Sequence, residues 1–164
     1  MALFLGTPED STLKIRKIAD VPRILCAAPD YIARRGNPRD GKALVAEGHD
    51  CLNLRFPGAP ELRWTLQTPS GPERFQVSGP FESDDGDVLT DWALAGHGIV
   101  LKPVFEVAGH LGSGALVPVA TDTPPLPVQL GFLYAHRRLQ DPKTRLFIDF
   151  MAARIADQLP RYVE

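Results

Sequence analysis

Ser83-Asp84-Asp85-Gly86-Asp87 concentrates hydroxyl, carboxylate and backbone donors in five positions directly ahead of an apolar-periodic run. Aspartates so placed cap a helix. A side-chain oxygen accepts from a first-turn N–H, and any remaining carboxylate meets the positive end of the helix dipole. The first N–H groups of such a helix have no partner within it. The same turn can therefore hold a small ligand without acting on it chemically. Capping and ligand holding are compatible, and both are expected at Ser83, Asp84, Asp85 and Gly86. Three nearby carboxylates would repel an anion unless turned away, so a neutral or partly cationic ligand suits the turn at least as well.

Two other places invite the same question. Gly6 and Thr7 follow an apolar run at residues 2–5. The carboxyl end of a strand is where ligands collect in open α/β sheets, although Gly-Thr-Pro also reads as a plain turn. Arg55 ends the run 51–56, where its guanidinium can serve as a hydrogen-bonding fork in a cleft or lie on the surface as most arginines do.

Catalytic and metal chemistry find no support. His97 sits in Gly96-His97-Gly98, a helix stop with glycine in the left-handed position. His49, His97, His110 and His136 are scattered, without cysteine or histidine at ligand spacing, so no metal is expected. His49-Asp50-Cys51 are neighbours in sequence, whereas nucleophile and base are assembled across a fold. Gly112-Ser113-Gly114 lacks the lysine and following helix of a phosphate loop, and no Gly-x-Ser-x-Gly elbow occurs. No cofactor is implied.

The chain has 164 residues, enough for one domain or two small lobes. A hydrophobic fraction of 44% against 23% charged residues argues for a packed core rather than disorder. The 16 prolines fall singly at the ends of apolar runs and mark element boundaries. A net charge of −2 with only short basic runs gives no nucleic-acid footprint. Cys26 and Cys51 lie in apolar runs and read as buried thiols of a reducing cytoplasm. No run is long enough to span a membrane, and the first residues lack the basic region of a signal peptide.

These residues need elements to position them. Residues 2–5 read as an apolar strand expected to lack a neighbour on one side, and the apolar face of the last helix is expected to lose cover with it. Residues 13–21 alternate apolar and basic with one slip in register, and read as a half-exposed strand. Residues 23–28 read as a second, more buried strand. Pro29 opens a short helix closed by Gly36. Strands are expected at 51–56, 62–67, 73–78 and 80–83. A helix follows over 86–95, with Val88, Leu89, Trp92 and Ala95 on one face. Next come a strand at 99–101, a helix from Pro103 to about 111, and strands at 115–119 and 128–135. Asp141 and Pro142 start a last helix, whose Leu146, Phe147, Phe150, Met151, Ile155 and Leu159 predict one wide apolar face. The mixture is α/β.

In this order the pieces resemble the effector-binding domain of LysR-type transcriptional regulators. ALFLGTPEDSTLKIRKIADVPRILCAAPDYIARRG is similar to the family segment in which two strands lead into its LCASP-Y pattern. GHDCLNLRF is similar to its H-D-C-L pattern, and FESDDGDVLTDWALAGHGIVLKP to its S-N-[DN]-G helix start and A-L-A-G-x-G-I stop. GALVPV and RRLQDPKTRLFIDFMAARI complete the series. The resemblance implies a two-lobed, periplasmic-binding-protein-like α/β fold. Residues 1–25 and 127–164 would form a partial first lobe, and 26–126 the second.

A small-molecule effector would lie between the lobes, against Ser83, Asp84 and Asp85 and the Gly6-Thr7 turn. The family often has asparagine at Asp84 or Asp85, which leaves the ligand's charge open. The winged helix-turn-helix, the linker helix and much of lobe one have no counterpart in these residues. The resemblance therefore implies a fragment that would reach DNA only through a domain it lacks. Exposed edges would favour a homo-oligomer, with first-lobe segments exchanged between chains. A solute-binding protein of a transport system shares the architecture and stands as the rival, with an enzyme third.

Overall fold

The computed structural model describes residues 2–6, 14–55, 63–134 and 142–159. In chain order the elements are β1 (Ala2–Gly6), β2 (Lys14–Val21), β3 (Arg23–Ala27), α1 (Pro29–Arg35), α2 (Gly41–Ala46), β4 (Cys51–Leu54), β5 (Arg63–Thr68), β6 (Gly71–Gln76), β7 (Glu82–Ser83), α3 (Gly86–Leu94), β8 (Ile99–Pro103), α4 (Val104–Gly112), β9 (Val117–Pro118), β10 (Val128–Tyr134) and α5 (Pro142–Gln158). They divide into two compact units, residues 1–22 with 127–164, and residues 23–126.

The second unit is built on a mixed sheet of order β7-β4-β8-β3-β9. β4 runs parallel to β7 and β8, whereas β3 is antiparallel to β8 and β9. Its central strands are apolar on both faces because both faces are covered. Alternation sends Leu25, Ala27, Cys51 and Ile99 to one side, where Tyr31 of α1, Leu44 of α2 and the β5–β6 hairpin residues Trp64, Leu66 and Phe75 meet them. Cys26, Leu52 and Val100 go to the other side, against Leu89 and Ala93 of α3 and Val107 of α4. Arg23 donates to the Leu126 carbonyl at 2.7 Å and joins the two chain ends of this unit.

The first unit is a three-stranded antiparallel sheet, β1-β10-β2, with α5 across it. The register slip expected in residues 13–21 is present. Leu130 pairs with Ala19 and Gly131 with Lys17, which leaves Ile18 as the extra residue of a bulge. The exposed edge expected of this unit is present: among the described residues β1 is the sheet edge, paired with β10, and its Leu3 is 57% exposed. The last helix leaves much of its wide apolar face uncovered. Ile148 and Ala152 point into the unit, Met151 and Ile155 are partly covered, and Leu146, Phe147 and Phe150 are exposed. Within the second unit the strands expected at 80–83 and 115–119 shrink to two residues each. The expected Asp141 cap lies outside the described residues.

Candidate functional site

α3 carries the site expected at residues 83–86. β7 delivers Ser83 beside Leu54 of β4, and the chain turns at Asp84 into the helix. The Ser83 hydroxyl oxygen accepts from the Asp85 N–H at 3.0 Å. Asp85 is the N-cap: its backbone is extended, and its carboxylate accepts from the Asp87 N–H at 2.9 Å. Asp85 is thus committed to the turn, while Ser83 keeps its own proton for an outside acceptor. Ser83 and Gly86 are half-buried, and Asp84, Asp85 and Asp87 are exposed. The helix stops as the glycine pattern requires. Gly96 has φ +77°, and a side chain on Gly98 would meet the Asp50 carbonyl oxygen at 2.5 Å, because β8 starts hard against that carbonyl.

One residue of this site escaped the sequence reading. Lys102 of β8 is buried beneath the turn, donates to the Gly86 carbonyl at 3.0 Å and pairs with Glu106 at 2.5 Å. Thr90 donates to the same carbonyl at 3.2 Å. A buried ammonium is retained only when paired, and here Glu106 and the carbonyl supply the partners. The available signal was a single lysine inside the otherwise apolar strand Ile-Val-Leu-Lys-Pro.

Arg55 lies next to this turn. Its N–H donates to the Ser83 carbonyl at 2.9 Å, and its exposed guanidinium pairs with Glu82 at 2.6 Å. The structure therefore brings Arg55, Ser83, Asp84, Asp85 and Gly86 together on adjoining elements of the second unit. Gly6 belongs to the other unit, and Thr7 lies outside the described residues.

The alternatives with chemistry are placed elsewhere. His49 is buried, with one ring nitrogen 3.1 Å from the Tyr31 hydroxyl and the other 3.1 Å from the Glu47 carboxylate. Cys51 donates its thiol proton to the His49 carbonyl at 3.6 Å, not to the imidazole. Burial pushes the Cys51 thiol up to about 12, with Asp50 adding to the rise. It is not a poised nucleophile. His97 is exposed and lies edge-on to Phe81. Among the described residues no group of three or more His, Cys, Asp or Glu could hold a metal ion. Among them, too, no helix is long and apolar enough to cross a membrane.

A capped helix start beside a half-buried serine in a mixed α/β frame narrows the class, and comparison with known proteins names the family. The LysR substrate binding domain matches residues 1–156, and the chain belongs to that family. It is 32% identical over 158 residues to the HTH-type transcriptional regulator DmlR of Escherichia coli, covering 96% of this chain and 50% of that regulator. The regulatory domain of CrgA, a LysR-type regulator from Neisseria meningitidis, superposes with a TM-score of 0.74 at 26% identity, over 93% of this chain and 74% of that one. The full-length Vibrio cholerae virulence activator AphB gives 0.73 at 31% identity, over 92% and 51%.

The chain spans about half the length of the curated relatives it matches. Its fold is the periplasmic-binding-protein-like α/β fold of LysR regulatory domains. The solute-binding protein of a transport system is not supported, since the relatives are transcriptional regulators and not transporters or enzymes.

Proposed function

We propose that this chain is an effector-sensing regulatory domain of a LysR-type transcriptional regulator, and that the turn entering α3 holds a small molecule. The observation that carries this reading is the Ser83 hydroxyl. It accepts within the turn but retains a proton at a half-buried position, beside the first-turn amides of a helix whose far end is fixed by Gly96 and β8. Arg55 donates its N–H to the Ser83 carbonyl of the same turn, and Gly86 opens the helix. Asp84 and Asp87 add negative charge, and Lys102 is neutralised by Glu106. The turn therefore suits a neutral or partly cationic effector with an acceptor for Ser83.

Sensing requires no bond to be made or broken. A ligand that prefers one arrangement of the domain biases it by no more than its differential affinity. Contact with DNA then belongs to a winged helix-turn-helix domain outside these residues, and the working form is a cytoplasmic homo-oligomer. Two buried, unpaired cysteines fit a reducing compartment.

The test is a thermal-shift screen of neutral, cationic and anionic metabolites, repeated with Ser83→Ala. A true effector raises the melting temperature by mass action. Loss of one hydrogen bond weakens its binding about tenfold, read as a smaller ligand-induced shift from each protein's own ligand-free melting temperature. A ligand that binds both proteins equally well removes Ser83 from the site.

A further inference from the structure

A buried cation sits directly beneath the entrance to α3. Alternation along β8 sends Leu101 to the face of the hairpin, and Val100 and Lys102 to the face of α3 and α4. Lys102 is only 5% exposed, and its ammonium donates to the Gly86 carbonyl at 3.0 Å. A side chain on Gly86 would stand 3.0 Å from that ammonium, so glycine here lets the charge come up close to the backbone.

Three sources of positive potential meet at this point. One is the ammonium. The second is the start of α3, and the third is the start of α4, whose first turn holds Glu106. Cations are favoured at the far end of a helix and disfavoured at its start. Lys102 therefore stands against both helix dipoles. Glu106 holds it there, with its carboxylate 2.5 Å from the ammonium.

Burial decides which charges count at the turn. Asp84, Asp85 and Asp87 are exposed. They act through water, with a dielectric constant of about 80, whereas a buried charge acts through an effective value of about 20. At equal distance Lys102 alone weighs about as much as four exposed aspartates. Unpaired, it would make the helix start an anion site in spite of all three. Arg55 and Glu82 pair with one another and leave this balance unchanged. Glu106 alone reverses it.

On the reading that this turn holds the effector, we propose that Glu106 is its specificity-determining residue. Glu106 is a resident anion. It occupies the ammonium that a carboxylate or phosphate ligand would need, and so it excludes anionic effectors. Neither Lys102 nor Glu106 has to touch the effector. Lys102 anchors the Gly86 carbonyl, and Glu106 sets the sign of the charge that the turn accepts.

Inorganic phosphate is the probe that tests this. The whole chain is titrated with it at fixed ionic strength, and the amide shifts of residues 83–88 are followed by NMR. Glu106→Gln keeps an oxygen for Lys102 but loses the charge. It is expected to bind phosphate about tenfold more tightly than the wild type. Lys102→Met combined with Glu106→Gln replaces the pair by neutral groups, a change that buried pairs tolerate, and is expected to return to the wild-type affinity. Equal affinity in the wild type and Glu106→Gln overturns the proposal, as does a double variant that binds as tightly as Glu106→Gln. Should circular dichroism show Glu106→Gln unfolded, Lys102→Met alone carries the test. It removes the buried cation, and tetramethylammonium is then expected to bind at the same amides about tenfold more tightly than in the wild type. No gain there overturns the proposal as well. Failure of the effector reading looks different: effector shifts then lie away from residues 83–88 or survive Ser83→Ala, while the phosphate response of Glu106→Gln remains.

Discussion

Cys26 and Cys51 lie on opposite faces of the second unit's sheet, with β8 between their strands, and neither touches solvent. Burial pushes both thiols up to about 12. At Cys51, Asp50 adds to the rise, and at Cys26, Lys102 draws it back only slightly. Burial raises the Tyr31 hydroxyl in the same direction. The sign for stability follows. A raised pKa means that the unfolded chain releases its proton first. The contribution is whole below the unfolded thiol value near 9 and is lost as pH climbs toward about 12. Each thiol costs about 1.4 kcal/mol per pH unit in that window. The melting temperature is therefore expected to fall steadily from pH 9 to pH 11, and a Cys26→Ala, Cys51→Ala variant to fall less steeply. A disulfide reagent at neutral pH is expected to label neither thiol until the chain unfolds.

At the scale of elements, α3 was legible because its signals are local. Asp85, Gly86 and Gly96 act within a few residues of themselves, and the structure keeps the helix within one residue of the expected bounds. Asp85→Ala removes the cap, and the expected loss is about 1 kcal/mol, seen as a fall of several degrees in melting temperature. No loss would mean that Ser83 alone holds the turn.

β1 was legible as a strand with an open edge, but its partner was not, because its neighbour among the described residues, β10, is more than a hundred residues on. In α5 the apolar positions outnumber those the sheet can cover, so the i+4 pattern could not say which row turns inward. Lys102 hid inside an apolar strand, because its partner Glu106 sits a turn into the next helix. The ion-pair partner of Arg55, Glu82, comes from another strand and could not be read from the sequence around Arg55.

At the scale of the molecule, the two units differ in how thoroughly they are buried. The central strands β4, β8 and β3 are covered on both faces by helices and a hairpin. β10 sits in a narrower sheet with one helix over it. Local opening costs less where fewer apolar contacts break. Hydrogen exchange is expected to be slowest at Ile99–Pro103 and measurably faster at Val128–Tyr134. Equal rates would mean that the chain opens as one cooperative body.

The sensing account stands or falls at the entrance to α3. Amide chemical shifts measured by NMR, while the chain is titrated with a metabolite that raises its melting temperature, test it most directly. The account predicts saturable shifts at the amides of residues 83–88, absent in Ser83→Ala. Saturable shifts confined to other residues, with 83–88 unmoved, would contradict it.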